Sequence, residues 1–309
     1  MSAGTRNSTV TTDNATAIPR RLGQRLAEFF TLCKPRVNSL IVFTAMIGMF
    51  LASPAFPPLG LFLAASVGIA LVAGAAAAIN CLVERTVDAR MARTRWRPTA
   101  RGTASAAETL TLAFLVGGGG LWILHSLVNP LTMWLTLATF LGYAVIYTVL
   151  LKPATPMNIV IGGASGAMPP LLGWTAMTGS IAPEALALFL IVFMWTPPHF
   201  WALACYRRDD YAKAGLPMLP VTHGIAYTCR HSLIYVLLLC GASVTPYLLG
   251  MSGVGYLASA LVLDAVFLAH SIALLRTYSD DLARRTFRWS IVYLTLLFAA
   301  LLADHFAGA

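Results

Sequence analysis

Apolar residues run along this chain in stretches long enough to cross a bilayer, broken by short polar turns. A helical span needs about 20 predominantly apolar residues. The pattern yields nine candidates, at 37–52, 59–79, 110–127, 131–151, 158–177, 185–204, 232–249, 254–275 and 287–303. Clusters of Pro, Gly and Asn at 53–58, 129–130 and 250–253 read as tight turns between them. The first 34 residues depart from the pattern. They are polar and rich in Ser and Thr, and they lack the apolar core and small-residue cleavage site of a secretory signal. Asp13 and a modest Arg content fit a mitochondrial presequence poorly. The expected division is a mostly disordered cytoplasmic tail at 1–34, ending in a short interfacial helix near 22–32, and a membrane domain at 35–309.

Composition agrees. Hydrophobic residues make up 58% of the 309 and charged residues 11%, against about 45–50% and about 25% in soluble domains. A net charge of +9 raises nucleic acid as a partner, but the placement of the charge excludes it. With the amino terminus inside, all 21 Lys and Arg fall in inner segments and none in the outer turns, which is the bias that orients membrane proteins. The charge is a topology signal and an anion-binding surface. Five cysteines without a C-x-x-C pair fit neither a disulfide framework nor a zinc site and read as small apolar fillers.

Two inner loops, 81–109 and 206–231, are long and charged, so the chemistry belongs on that face. In the first, Asn80, Glu84 and Asp88 stand at i, i+4 and i+8. On a helix continuing from the second span they stack along one side, and three oxygen donors in a column can hold Mg²⁺. Arg93 and Arg97 follow four apart and can meet phosphate with planar forks. The same residues also fit a juxtamembrane loop whose arginines anchor topology and whose acids balance them.

In the second loop the sixth span runs into Tyr206, the pair Asp209 and Asp210, and Lys213. Adjacent carboxylates repel unless a cation separates them. A metal would serve, and so would Arg207 and Arg208. Between the loops Lys152 is the sole charge joining the fourth and fifth spans, with Tyr147, Thr155 and Asn158 nearby; it suits a diphosphate oxygen or a snorkelling anchor. Gly162, Gly163 and Gly166 are expected to let helices approach closely. Asp264 lies inside the eighth span, where a carboxylate costs about 2.5–3.5 kcal/mol on insertion scales and needs a partner. His199 stands beside Pro197 and Pro198, which should kink or interrupt the sixth span; it is a substrate ligand or a satisfied structural histidine.

Several long strings, in this order, resemble the UbiA-type intramembrane prenyltransferases, and among them the branch whose acceptor is haem. They are N-x-x-x-E-x-x-x-D-x-x-M-x-R-T-x-x-R-P at 80–98, P-P-H-F-W-A-L-A followed by D-Y-x-x-A-G-x-P-M-L-P-V, K-P-R-V at 34–37, and K-P-x-T-x-x-N-I-x-x-G-G at 152–163. The resemblance implies an all-α fold of nine helices around a central cavity in a bacterial inner membrane, with Mg²⁺ and farnesyl diphosphate under the inner loops and haem B as acceptor. It assigns Asn80, Glu84 and Asp88 to one metal motif and Asp210, with Asp209, to a second. Lys152, Arg93 and Arg97 would then stabilise the departing diphosphate, while Tyr147, Asn158, His199, Tyr206, Lys213 and Arg36 bind substrate. Haem A synthase and terminal oxidase assembly proteins are the implied protein partners. Two departures stand out. Glu84 occupies a position that is often Asp in the wider family, and Tyr206 stands where a second acid is usual, which leaves the metal count at the second motif open. Rival readings are a quinone or chlorophyll precursor as acceptor, a secondary transporter, and an assembly factor for a respiratory complex.

Overall fold

A computed structural model describes residues 22–308; the first 21 residues of the tail expected at 1–34 lie outside the described residues. Among them the structure is helical, with no strand. Thirteen helices follow in order: α1 (Leu22–Leu32), α2 (Pro35–Leu51), α3 (Leu59–Val83), α4 (Arg85–Arg90), α5 (Ala106–Leu127), α6 (Pro130–Ala154), α7 (Asn158–Thr178), α8 (Pro183–Tyr206), α9 (Arg208–Lys213), α10 (Leu219–Thr222), α11 (Ile225–Leu248), α12 (Val254–Arg276) and α13 (Asp280–Gly308).

Seven of these, α3, α5, α6, α8, α11, α12 and α13, are long and apolar enough to cross a membrane, and the chain is a membrane protein. The sequence pattern predicts nine. The two that fall short are α2, with 17 residues, and α7, diluted by Gly, Ser, Asn and two internal prolines. These two pack on each other between the halves of the bundle. A Cβ on Gly48 would strike the Pro170 carbonyl, and one on Gly173 the Ala45 carbonyl. Backbone-to-backbone approach through small residues is how helices associate in lipid, where apolar burial supplies no net drive. One buried cluster joins α2 to α3, α5 and α7 through Met49, Phe62, Ile69 and Leu172. A larger one joins α2 and α7 to α8, α11, α12 and α13 through Ile47, Trp195, Phe267 and Tyr293.

Helix α1 forms where the pattern predicts it. Leu22, Leu26 and Phe30 recur every four residues as an exposed apolar stripe, 75%, 59% and 65% exposed. Leu32 and Phe29 turn inward against α3 and α5.

Two local features depart from expectation. Helix α8 runs unbroken through Pro197 and Pro198. Prolines are tolerated inside membrane helices, where neighbouring helices and Ser or Thr side chains compensate for the lost backbone bonds; in the turn just before them Thr196 Oγ1 donates to Val192 O at 2.8 Å. Helix α6, in contrast, widens into a π-helical stretch over Gly142–Leu151. Thr148 Oγ1 donates to Tyr143 O, five residues back, at 2.7 Å, and the Lys152 N–H reaches Tyr147 O. π segments collect at functional sites; this one turns Thr148 and Lys152 toward the end of α3.

Candidate active site

The acidic column of the first loop survives a break in the helix. Helix α3 ends at Val83 and Glu84 is its C-cap, but the Glu84 N–H still reaches Asn80 O at 3.0 Å and the Asp88 N–H reaches Glu84 O at 2.7 Å. Helical spacing therefore persists at those three positions. Asn80, Glu84 and Asp88 are 2%, 8% and 2% exposed, and charges that deep must be paired. Lys152 Nζ donates to Glu84 Oε1 at 2.5 Å, and Arg97 Nη1 pairs with Asp88 Oδ2 at 2.6 Å. The Asn80 amide donates to Glu84 Oε1 at 2.8 Å and to Thr148 Oγ1 at 3.1 Å.

A third cation joins them. Lys34 Nζ donates to Asn80 Oδ1 at 2.5 Å. Its backbone sits in the left-handed region, φ 48° and ψ 61°, which a side chain with a Cβ seldom adopts. The strain falls at the joint where Pro35 opens α2, and such outliers gather at functional sites. Burial alone would push the Glu84 carboxyl up; the Lys152 ammonium, with Lys34 and the Asn80 hydrogen bond, holds it below the usual carboxylate range instead. Desolvation pulls the Lys34 ammonium down to about 8. Among the described residues the cluster sets three cations, Lys34, Arg97 and Lys152, against two carboxylates, an excess of positive charge at one end of the bundle.

The second loop is held differently. Arg207 Nη1 lies 3.3 Å from Asp210 Oδ2 and Arg208 Nε lies 3.5 Å from Asp209 Oδ1, so the neighbouring arginines separate the adjacent acids. Asp209 faces solvent, its side chain 79% exposed, whereas Asp210 is 24% exposed. The two loops nonetheless meet. Val87, next to Asp88, and Met91 share a buried cluster with Tyr211, next to Asp210, and with Leu216 and Met218. Ile159 of α7, Tyr147 of α6 and Ala204 of α8 also belong to it. Arg93, exposed, lies within Coulombic range of both Tyr147 and Tyr206.

Other candidates fall as follows. Asn158 is fully buried; its amide donates to Thr155 O at 2.5 Å and faces Met218 Sδ at 4.0 Å, while its Oδ1 has no partner, so it ties α7 to the second loop. His199 stacks between Trp195 and Phe287, with centroids at 4.2 and 4.7 Å, and its Nδ1 pairs with Ser290 Oγ at 2.7 Å. Lys213 and Arg36 are exposed at the ends of α9 and α2. Gly162 seats the Tyr147 ring and a Cβ on Gly163 would come within 3.1 Å of Thr196 Cγ2, but a Cβ on Gly166 would meet nothing within 4 Å; close approach explains only the first two. Lys34, Thr148 and Ser290 had no role in the sequence reading. For Lys34 the K-P-R-V string was the available signal; single hydroxyls leave none.

Asp264 finds its partners inside the bundle. Ser243 Oγ and Tyr293 OH each donate to it at 2.6 Å, and Tyr256 OH donates to Ser243 O at 2.6 Å. Both carboxylate oxygens are engaged and the residue is 4% exposed. It clasps α11, α12 and α13 together, which removes the chief mid-membrane group that the transporter reading needs.

A helical membrane bundle with a cation-rich, acid-bearing cluster at one end defines a class of intramembrane enzymes acting on anionic substrates. The UbiA prenyltransferase family matches residues 41–299, and the chain belongs to that family. The protoheme IX farnesyltransferase of Dechloromonas aromatica is 74% identical over 92% of this chain and 95% of its own length. A solved structure of digeranylgeranylglyceryl phosphate synthase shares the fold, with a TM-score of 0.77 at 18% identity, covering 91% of this chain and 99% of that one. So does a UbiA homolog from Archaeoglobus fulgidus bound to GPP and Mg²⁺, with a TM-score of 0.58 at 14% identity over 89% and 99%.

Proposed function

We propose that this chain transfers the farnesyl group of farnesyl diphosphate to a vinyl group of haem B, giving haem O and diphosphate, at the inner face of a bacterial membrane with its amino terminus inside. The observation that carries the reading is the cation-rich cluster at the meeting of the two inner loops; the name carried by the 74% identical relative supplies the acceptor.

The donor set fits magnesium. Glu84 spends Oε1 on Lys152 and Asn80, and Asp88 spends Oδ2 on Arg97. The Asn80 carboxamide oxygen already accepts from Lys34, but Glu84 and Asp88 each keep a second oxygen without a protein partner among the described residues. These are the hard oxygen donors that magnesium takes together with phosphate. Asp210, with Asp209, is the acidic group offered from the second loop. Magnesium held there would neutralise diphosphate charge and weaken the allylic C–O bond.

The chain's own residues do the rest. Lys34, Lys152, Arg93 and Arg97, with Lys213 at the rim, hold positive charge where the leaving diphosphate becomes more negative, and such fixed charges act without reorganisation. Tyr143 and Tyr147, stacked at 5.6 Å, present π faces of the kind that stabilise a cation. On the acceptor side stand His199 and Tyr206, with Arg36 at the surface. The vinyl group attacks the allylic carbon as the C–O bond breaks, and water then adds to the resulting cation and loses a proton to complete the hydroxyethylfarnesyl chain. Haem A synthase or an oxidase assembly protein would receive the product.

Incubating the purified protein with haem B and farnesyl diphosphate, with and without Mg²⁺, tests the reading by mass spectrometry of the extracted haem. Haem O together with stoichiometric, magnesium-dependent diphosphate release is expected. Diphosphate release with a quinone precursor and none with haem would move the chain to another acceptor.

A further inference from the structure

A column of rings climbs from the interior to the inner face along α8 and α13, outside the charge cluster. Trp195 stacks on His199 at 4.2 Å, and His199 on Phe287 at 4.7 Å. Phe287 meets Tyr206 edge-on at 6.3 Å. Two guanidiniums cap the column over the Tyr206 ring, Arg284 at 5.4 Å and Arg207 at 5.7 Å. Arg207 is paired with Asp210, whereas Arg284 is exposed and has no ion pair among the described residues. At the foot, the fully buried Ser290 works three times: its Oγ donates to Phe287 O at 2.7 Å and meets His199 Nδ1 at 2.7 Å, and its carbonyl accepts from Trp195 Nε1 at 2.7 Å. His199 Nε2 has no hydrogen-bond partner among the described residues.

Core packing alone explains these contacts poorly. Tyr206, His199 and Phe287 are only partly buried, and a lone guanidinium beside an aromatic face at a membrane boundary is suited to a carboxylate. Arg284 and Ser290 are six residues apart, so about 9 Å separates them along the helix axis. The distance from the centre of a tetrapyrrole to its carboxylate side chains is of the same order.

The geometry points to α13 as the docking wall for the acceptor: Arg284 takes one carboxylate of a planar tetrapyrrole, Tyr206 and Phe287 border its ring, and Ser290 is a positioning residue that fixes His199. This rests on the haem-acceptor reading above and names the side chains that would recognise the acceptor.

The test compares haem B with its dimethyl ester as acceptors for the full-length protein. The wild type should prefer the free acid by about tenfold in kcat/KM, the scale of one charge-assisted hydrogen bond. Arg284→Gln should erase that preference with the KM for farnesyl diphosphate unchanged, and Arg284→Lys should restore part of it. Ser290→Ala should raise the KM for haem and shift the Soret band of bound haem, and Ser290→Thr, which keeps the hydroxyl, should reverse both. An Arg284→Gln protein that discriminates as the wild type does, or a wild type indifferent to esterification, overturns the carboxylate assignment while leaving farnesyl transfer standing. Wild-type protein that farnesylates neither acceptor overturns the transfer reading itself, and this inference with it.

Discussion

In the first charged loop the two carboxylates are buried and draw their counter-charges from beyond their immediate neighbours: Glu84 from Lys152, 68 residues on, and Asp88 from Arg97 of the same loop, nine residues on. In the second, Asp209 and Asp210 lie nearer solvent and pair with the arginines beside them in sequence. Similar residue types are thus held in opposite ways. The first loop is a charge cluster built into the packing of α3 and α6, so its acids bear on stability as well as on chemistry. The second is an exposed ionic turn that contributes to the fold through Tyr211, Leu216 and Met218, while its acids remain available to a ligand.

Substitutions that separate stability from turnover can break this contrast. The largest expected effect is in the first loop. Asp88→Asn should lower farnesyl transfer by about 10²- to 10³-fold, the usual loss when a preorganised electrostatic partner is removed. Glu84→Ala, which leaves Lys152 without its carboxylate, should destabilise the protein by about 3–5 kcal/mol, read from thermal unfolding in detergent. Next comes the second loop. Asp210→Asn should lower turnover markedly yet change stability by no more than about 1 kcal/mol, since an exposed ion pair contributes little; Asp209→Asn should do less on both counts. An Asp210→Asn protein as unstable as Glu84→Ala would erase the distinction. Behind the cluster the expected effect is on packing, and its last member is the smallest of all. Gly162→Ala should destabilise by about 1–3 kcal/mol by forcing a Cβ against the Tyr147 ring, and Gly166→Ala, which meets nothing within 4 Å, should be silent.

Much of this was legible in the residue pattern, because membrane spans and inner-face charge are read from composition over long windows. Glu84, Asp88, Arg97 and Lys152 stood out as charges at span ends. The pairing among them did not, for it depends on the π register of Gly142–Leu151, and a shift from four-residue to five-residue hydrogen bonding has no hydrophobic signature. Lys34 escaped for a related reason: its reach to Asn80 crosses 46 residues and needs a left-handed backbone that no rule assigns to lysine. The nine-span expectation read α2 and α7 as ordinary spans, yet interior helices need less apolar surface than those facing lipid, and length and apolarity qualify only seven. Asp264 was visible as an anomaly, but Ser243 and Tyr293 lie 21 and 29 residues away, beyond what spacing can connect.

Everything turns on whether acids from both loops serve a single diphosphate. A double-mutant cycle with Asp88→Asn and Asp210→Asn, followed through kcat/KM for farnesyl diphosphate, measures that coupling directly. For groups acting on one leaving group, the double variant should be scarcely worse than the poorer single variant. Losses that simply multiply would place the two acids at independent sites and contradict the account.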